Sequence, residues 1–147
     1  MDLQLEGKIA LVTGGGTGIG FGIAEILAEE GARVILLGRR ENVLQEAVEK
    51  IAVRAKFRPE IIVHDLTAPD AGKTIAAEAL ERFGHVDIIV NNAGTSEVLG
   101  IGGGEDRWQH AYALRVIAPR QLAEALIPEM RARKFGRIIN IGGTFEV

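Results

Sequence analysis

The 147-residue sequence contains no cysteine, which excludes disulfides, thiolate nucleophiles and cysteine-ligated metals and fits a reducing compartment. His64, His85 and His110 stand far apart, so each reads as a structural or surface histidine and no metal is expected. No long basic run accompanies the net charge of −3; neither nucleic acid nor an anionic membrane is therefore an expected partner. No apolar run is long enough to cross a bilayer. The opening Met1-Asp2-Leu3-Gln4-Leu5-Glu6-Gly7-Lys8 lacks the basic-then-apolar order of a secretory leader, and a cytoplasmic protein is expected. Small molecules and other proteins remain as partners.

With 47% hydrophobic residues, the chain has apolar material for one core, and residues 1–147 are expected to form a single domain. The stretch Thr13-Gly14-Gly15-Gly16-Thr17-Gly18-Ile19-Gly20 organises the rest. It follows the apolar run Ile9-Ala10-Leu11-Val12 and leads into Ile19, Ile23, Ile26 and Leu27 at helical spacing, the pattern of strand, glycine turn and helix start. Gly14 suits the sharp turn out of the strand, Gly18 the approach of a pyrophosphate, and Gly20 close contact between helix and sheet. The first-turn N–H groups then face an anion. The triphosphate pattern G-x-x-x-x-G-K-[ST] is missing, so the ligand that fits is a dinucleotide.

A second strand is predicted at Arg33-Val34-Ile35-Leu36-Leu37, buried on both faces by its unbroken apolar run. Gly38-Arg39-Arg40 sits at its end, where a doubly wound sheet receives the adenosine ribose; an arginine there pairs with a 2′-phosphate, which favours NADP over NAD. The plain alternative is a pair of solvated loop charges. Leu44, Ala47, Val48 and Ile51 follow helical spacing. A third strand, Ile61-Ile62-Val63-His64, ends at Asp65-Leu66, where Asp65 either meets an adenine amino group or caps the turn before Pro69. Ile75, Ala79, Leu80 and Phe83 form the next helical stripe. Val86-Asp87-Ile88-Ile89-Val90 is the fourth strand and opens into Asn91-Asn92-Ala93-Gly94. Four strand-then-helix units imply a parallel α/β sheet, doubly wound, with its ligand at the strand C-terminal ends. Gly14, Arg39, Asp65 and Asn91 all fall there.

Thr95 to Asp106 reads as a loop whose glycines, Gly100 to Gly104, make a flap or plain slack, with a second anion site as the alternative. A long helix follows, from about Glu105 or Asp106 to about Arg131. It carries one apolar stripe through Tyr112, Val116, Ala123, Leu126 and Met130 and another through Trp108, Ala111, Ala118, Leu122 and Ala125. Such a helix needs two neighbours, one of them the sheet and the other outside this sequence. Pro119 is expected to kink it. Arg115 lies among small and apolar residues, so its face is either solvent-lined or supplies an acid. Arg137-Ile138-Ile139-Asn140-Ile141 is the fifth strand.

Taken together, Leu5-Glu6-Gly7-Lys8-Ile9-Ala10-Leu11-Val12-Thr13-Gly14 with its T-G-x-x-x-G-I-G loop, Asp65-Leu66, Asn91-Asn92-Ala93-Gly94, Trp108 and Gly136-Arg137-Ile138-Ile139-Asn140-Ile141 resemble the classical short-chain dehydrogenases/reductases. The resemblance implies a Rossmann-type sheet of order 3-2-1-4-5 and NAD(P)-dependent alcohol or carbonyl chemistry. It also implies that Asn91, Ala93 and Gly94 line the nicotinamide side, with Asn92 holding the strand ends together. Gly14, Gly16, Thr17, Gly18, Ile19, Gly20, Arg39, Asp65 and Leu66 complete the expected cofactor residues.

The family's tyrosine, lysine, serine and asparagine are not matched. Arg115 stands at the asparagine position and Gly143 at the serine position. The Tyr-x-x-x-Lys pair would fall beyond Val147, and Tyr112, the one tyrosine, is followed four residues later by Val116. The leading expectation is an NADP(H)-binding chain without the family's hydride transfer and with no catalytic residues of its own. One alternative is an oxidoreductase completed by another chain or by Arg115; another is a regulatory or interaction module, or a degenerate remnant. The two-sided helix 105–131 and the fifth strand, which the family covers with elements absent here, point to a homo-oligomer.

Overall fold

The computed structural model describes residues 2–94 and 103–142. Gly143 and the segment 95–102, with the first glycines of the expected flap, lie outside the described residues.

Five parallel strands form one sheet: β1 (Ile9–Thr13), β2 (Arg33–Gly38), β3 (Glu60–Val63), β4 (Ile88–Asn91) and β5 (Arg137–Asn140). Their order is β3-β2-β1-β4-β5, which is the expected 3-2-1-4-5. Helices α1 (Gly18–Glu29), α2 (Glu41–Ala52) and α3 (Ala71–Phe83) connect the first four strands. After β4 come α4 (Glu105–Tyr112), a π-helical turn (Ala113–Ile117) and α5 (Ala118–Ala132).

Alternation along the strands divides the core into two layers. Leu11, Ile35, Leu37, Ile62 and Ile89 meet Ile75 and Ala79 of α3 and Leu122 and Leu126 of α5. Ala10, Val12, Val34, Leu36, Ile88 and Val90 face the other way, onto Ala24 and Ala28 of α1 and Leu44, Ala47, Val48 and Ile51 of α2. With helices on both faces, every residue of β1 and β4 is buried, which is why these strands read as unbroken apolar runs. At the N-terminal edge the buried Asp87 carboxylate accepts the Ile9 N–H at 2.8 Å and stands 3.1 Å from His85 Nε2, tying the starts of β1 and β4 together.

The buried side of α1 differs from the expected stripe. Ile19 and Ile26 are 68% and 59% exposed, while Gly20, Ala24 and Ala28 face the core and Ile23 and Leu27 flank them. Small residues at i, i+4 and i+8 let the helix axis approach the sheet, a gain that hydrophobic spacing does not register.

The second neighbour of α5 is α3, within the chain. A Cβ on Gly72 would lie 2.5 Å from the Ala118 carbonyl oxygen, so the two backbones touch. Gln121, buried at this crossing, accepts the Gly72 N–H at 3.2 Å and donates to Asp70 Oδ1 at 3.2 Å. The core side of the long helix draws on both predicted stripes: Ala111, Ala118, Leu122, Leu126 and Met130 are buried. Trp108, Tyr112 and Val116 remain 52%, 57% and 44% exposed. The interruption expected at Pro119 takes the form of the π-helical turn immediately before it. An α-helical turn would drive the proline ring into the Arg115 carbonyl, and the wider turn relieves that clash. β5 pairs with β4 yet is exposed along its whole length.

Candidate functional site

The chain winds outward from β1 to β2 and β3, then returns to the other side of β1 to lay down β4. At this reversal the strand C-termini diverge and leave a crevice. A cleft of about 620 Å³ opens there, within the range of small-molecule sites.

The loop after β1 forms its floor. Gly14 has φ +64°, a left-handed turn that glycine takes without strain, and the Gly14 and Gly15 N–H groups both donate to the Leu37 carbonyl, at 2.9 and 3.3 Å. Gly18, also left-handed at φ +56°, opens α1 beside empty space. Thr17 precedes α1 in an extended conformation and makes no side-chain cap, so first-turn N–H groups remain to meet an anion. Gly20 packs under the loop against the Gly14 carbonyl.

A polar knot fixes β4 to this loop. Thr13 Oγ1 accepts the N–H groups of Asn92 and Ala93, at 3.0 and 2.9 Å. The Asn92 side-chain amide donates to the Thr13 and Gly14 carbonyls at 3.3 and 3.4 Å. Asn92 therefore does join the strand ends.

At the ends of β2 and β3, Arg39 and Arg40 flank the cleft with His64, Asp65, Leu66 and Thr67. Asp65 caps its own turn: Oδ1 accepts the Thr67 N–H at 2.8 Å and the Thr67 hydroxyl at 2.7 Å. These bonds, the hydroxyl's first, hold the Asp65 carboxyl below the ordinary carboxylate value; burial opposes them, and Arg39 and His110 add smaller downward pulls. The two alternatives for Asp65 are compatible, because a carboxylate has lone pairs beyond those Thr67 uses.

Gly14, Gly16, Thr17, Arg39, Asp65, Leu66, Ala93 and Gly94 thus line one cleft. Gly18, Ile19 and Gly20 form the adjoining first turn of α1 without belonging to the lining. Asn91 also stands off it. It is buried, its Nδ2 donates to Asn140 Oδ1 at 2.9 Å, and its own Oδ1 is the buried side-chain atom left without a partner among the described residues.

Sequence patterns assigned no role to Thr67 and Leu114, read His64 and His110 as structural or surface histidines, and placed Arg40 only beside Arg39 at the adenosine end; all five line the cleft. His110 and Leu114 are four residues apart, one helical turn; that spacing was visible, but not that α4 swings its flank over the strand ends. Arg115 is exposed and already engaged within the chain, and its guanidinium lies 3.4 Å from where a Gly94 Cβ would stand. Tyr112 is exposed and off the lining. Among the described residues no group of three or more His, Asp or Glu side chains is placed to hold a metal, and no helix is long and apolar enough to cross a membrane.

Known proteins share this architecture. A 3-oxoacyl-[acyl-carrier-protein] reductase of Vibrio cholerae is 36% identical over 95% of the chain and 56% of its own length. The structure of L-sorbose reductase from Gluconobacter frateurii, complexed with NADPH and L-sorbose, superposes with a TM-score of 0.88 at 37% identity, covering 95% of this chain and 54% of that one. A metagenomic short-chain oxidoreductase in complex with NADP gives 0.87 at 34% identity, covering 97% and 66%. The chain spans about half the length of the curated relatives it matches, from 45% to 63% for the first three. With the short chain dehydrogenase family model matching residues 8–145, this chain belongs to the short-chain dehydrogenase family.

Proposed function

We propose that residues 1–147 form one dinucleotide-binding unit that takes NADP(H) in preference to NAD(H), and that they do not by themselves carry out alcohol–carbonyl hydride transfer. The supporting observation is the convergence of the glycine loop, Arg39 and the Ala93-Gly94 turn on one cleft at the strand reversal. The residues fit the ligand. The open space beside Gly18 admits a diphosphate to the backbone, Arg39 and Arg40 outnumber the single lining carboxylate at the adenosine end, and relatives of this fold are seen with NADP or NADPH.

In this assignment Gly14, Gly16, Thr17, Gly18, Ile19 and Gly20 hold the pyrophosphate. Arg39 pairs with the 2′-phosphate, Asp65 and Leu66 border the adenine, and Ala93 and Gly94 shape the nicotinamide end, with Asn91 buried behind them at the end of β4. A bound nicotinamide supplies or accepts a hydride; the Tyr-x-x-x-Lys pair that would carry the accompanying proton does not occur in residues 1–147. Tyr112 lies off the cleft. Each missing preorganised donor forfeits about 10²-fold in rate. Isothermal titration is expected to show NADPH binding at least about tenfold tighter than NADH, and the same protein should leave NADPH unconsumed with small carbonyl compounds. Absence of binding by folded protein, or steady turnover, would refute the assignment.

We also infer self-association through helix 105–131, with a second copy covering Trp108, Tyr112 and Val116. The support is their shared exposure, since a cluster of large apolar side chains rarely stays in water. Sedimentation should show a dimer or larger species that Tyr112→Glu dissociates; a wild-type monomer at high concentration would contradict this.

A further inference from the structure

We propose that Arg115 makes the nicotinamide end of the cleft a site for a small carboxylate-bearing molecule, setting which substrates or ligands the loaded site accepts. This deepens the dinucleotide assignment and rests on it.

Placement comes first. Arg115 lies in the π-helical turn, a geometry that recurs at functional sites, and its neighbours on the same helical stretch, His110 and Leu114, line the cleft. Arg115 itself is exposed and stands outside the lining, but its guanidinium reaches Gly94, which belongs to it, 3.4 Å from the position of an added Cβ. With glycine at this position no Cβ stands between the guanidinium and the strand end. The Arg39 end of the cleft is two strands away, across β1, or ~10 Å at the usual strand spacing. A dinucleotide phosphate held at Arg39 therefore leaves Arg115 for a different group.

The chemistry narrows that group. A guanidinium stays protonated throughout the accessible pH range, so it cannot relay a proton as an acid–base residue. It holds anions, and its planar fork matches a carboxylate with two parallel N–H···O bonds. Five N–H donors allow it to keep its contact within the chain and still present a pair to a ligand. Among the described lining residues the one carboxylate, Asp65, is committed to Thr67 and lies at the adenosine side, at the end of β3. A neutral carbonyl gains less from the same cation, because a bond between two charged groups is roughly twice as strong.

The test uses the full 147-residue protein, saturated with NADP+ so that a ketone cannot be reduced, at low ionic strength, with binding read by calorimetry. The probes are 2-oxobutanoate and butan-2-one, which differ by the carboxylate. Wild type should bind the oxo acid at least about tenfold more tightly than the ketone. Arg115→Asn should lose most of that difference, and Arg115→Lys should retain part of it, keeping charge without the fork. Equal affinities for the two probes in wild type would overturn the proposal without requiring any variant to fold, as would an undiminished difference in folded Arg115→Asn. NADP+ binding with indifference to the carboxylate removes this proposal alone; failure of NADP+ to bind removes the dinucleotide assignment and this proposal with it.

Discussion

Gly20→Ala should destabilise the protein by roughly 3 kcal/mol, at or beyond the upper end for overpacking, and weaken NADPH binding at least about tenfold. The added Cβ would stand 2.5 Å from Asn92 Nδ2 and 2.8 Å from the Gly14 carbonyl carbon, and would collide with the Gly14 carbonyl oxygen. Two of these three atoms are backbone, so no rotamer change relieves the clash. Either α1 lifts from the sheet or the loop shifts, and both break the Asn92 bridge to Thr13 and Gly14. A control lies two residues away. Nothing lies within 4 Å of an added Cβ at Gly22, and Gly22→Ala in the same helix should stabilise by about 0.5–1 kcal/mol. Urea unfolding of the two variants should therefore move in opposite directions. Equal midpoints would show that α1 does not rest on the loop.

Arg39→Asp should shift the NADPH to NADH preference by on the order of 100-fold. A charge-assisted bond to the 2′-phosphate is worth about 1.5–3 kcal/mol, roughly 10- to 150-fold, and the new carboxylate repels that phosphate while accepting a bond from a 2′-hydroxyl. Arg40 also lines the cleft and makes the experiment specific: Arg40→Asp should change the preference less. Calorimetric titration of both variants with both cofactors decides the matter. An unchanged ratio in Arg39→Asp, or a larger change in Arg40→Asp, would remove Arg39 from its assigned role.

Where burial is symmetric, the sequence was enough. β1, β2 and β4 lie between two helical layers, so a bare apolar run identified them, and the amphipathic α2 buries the expected Leu44, Ala47, Val48 and Ile51. Hydrophobic spacing failed where close approach decides packing. The core face of α1 is Gly20, Ala24 and Ala28 because small residues bring the helix nearest the sheet, and the α3–α5 crossing depends on Gly72 and on Gln121, a polar residue no apolar pattern selects. The cleft divides in the same way. Residues at strand ends, such as Gly14, Arg39 and Asp65, follow from topology alone. His110 and Leu114 arrive from an element distant in sequence, and their contribution depends on the path of α4. Asn91, at the end of β4, donates to Asn140 and stands outside the lining, a cross-strand contact that topology alone does not reveal.

The exposed β5 gives the sheet a gradient in resistance to local opening. Amides in β1, enclosed by two strands and two helical layers, should open only with the whole molecule, whereas those in β5 have one hydrogen-bonded strand beside them among the described residues and are exposed along its length. The glycine loop is anchored in the slow-opening centre. The Asn92 to Gly94 turn leaves the strand next to the fast-opening margin, so a dinucleotide spanning the two would be held firmly by its phosphates and more loosely at its reactive ring.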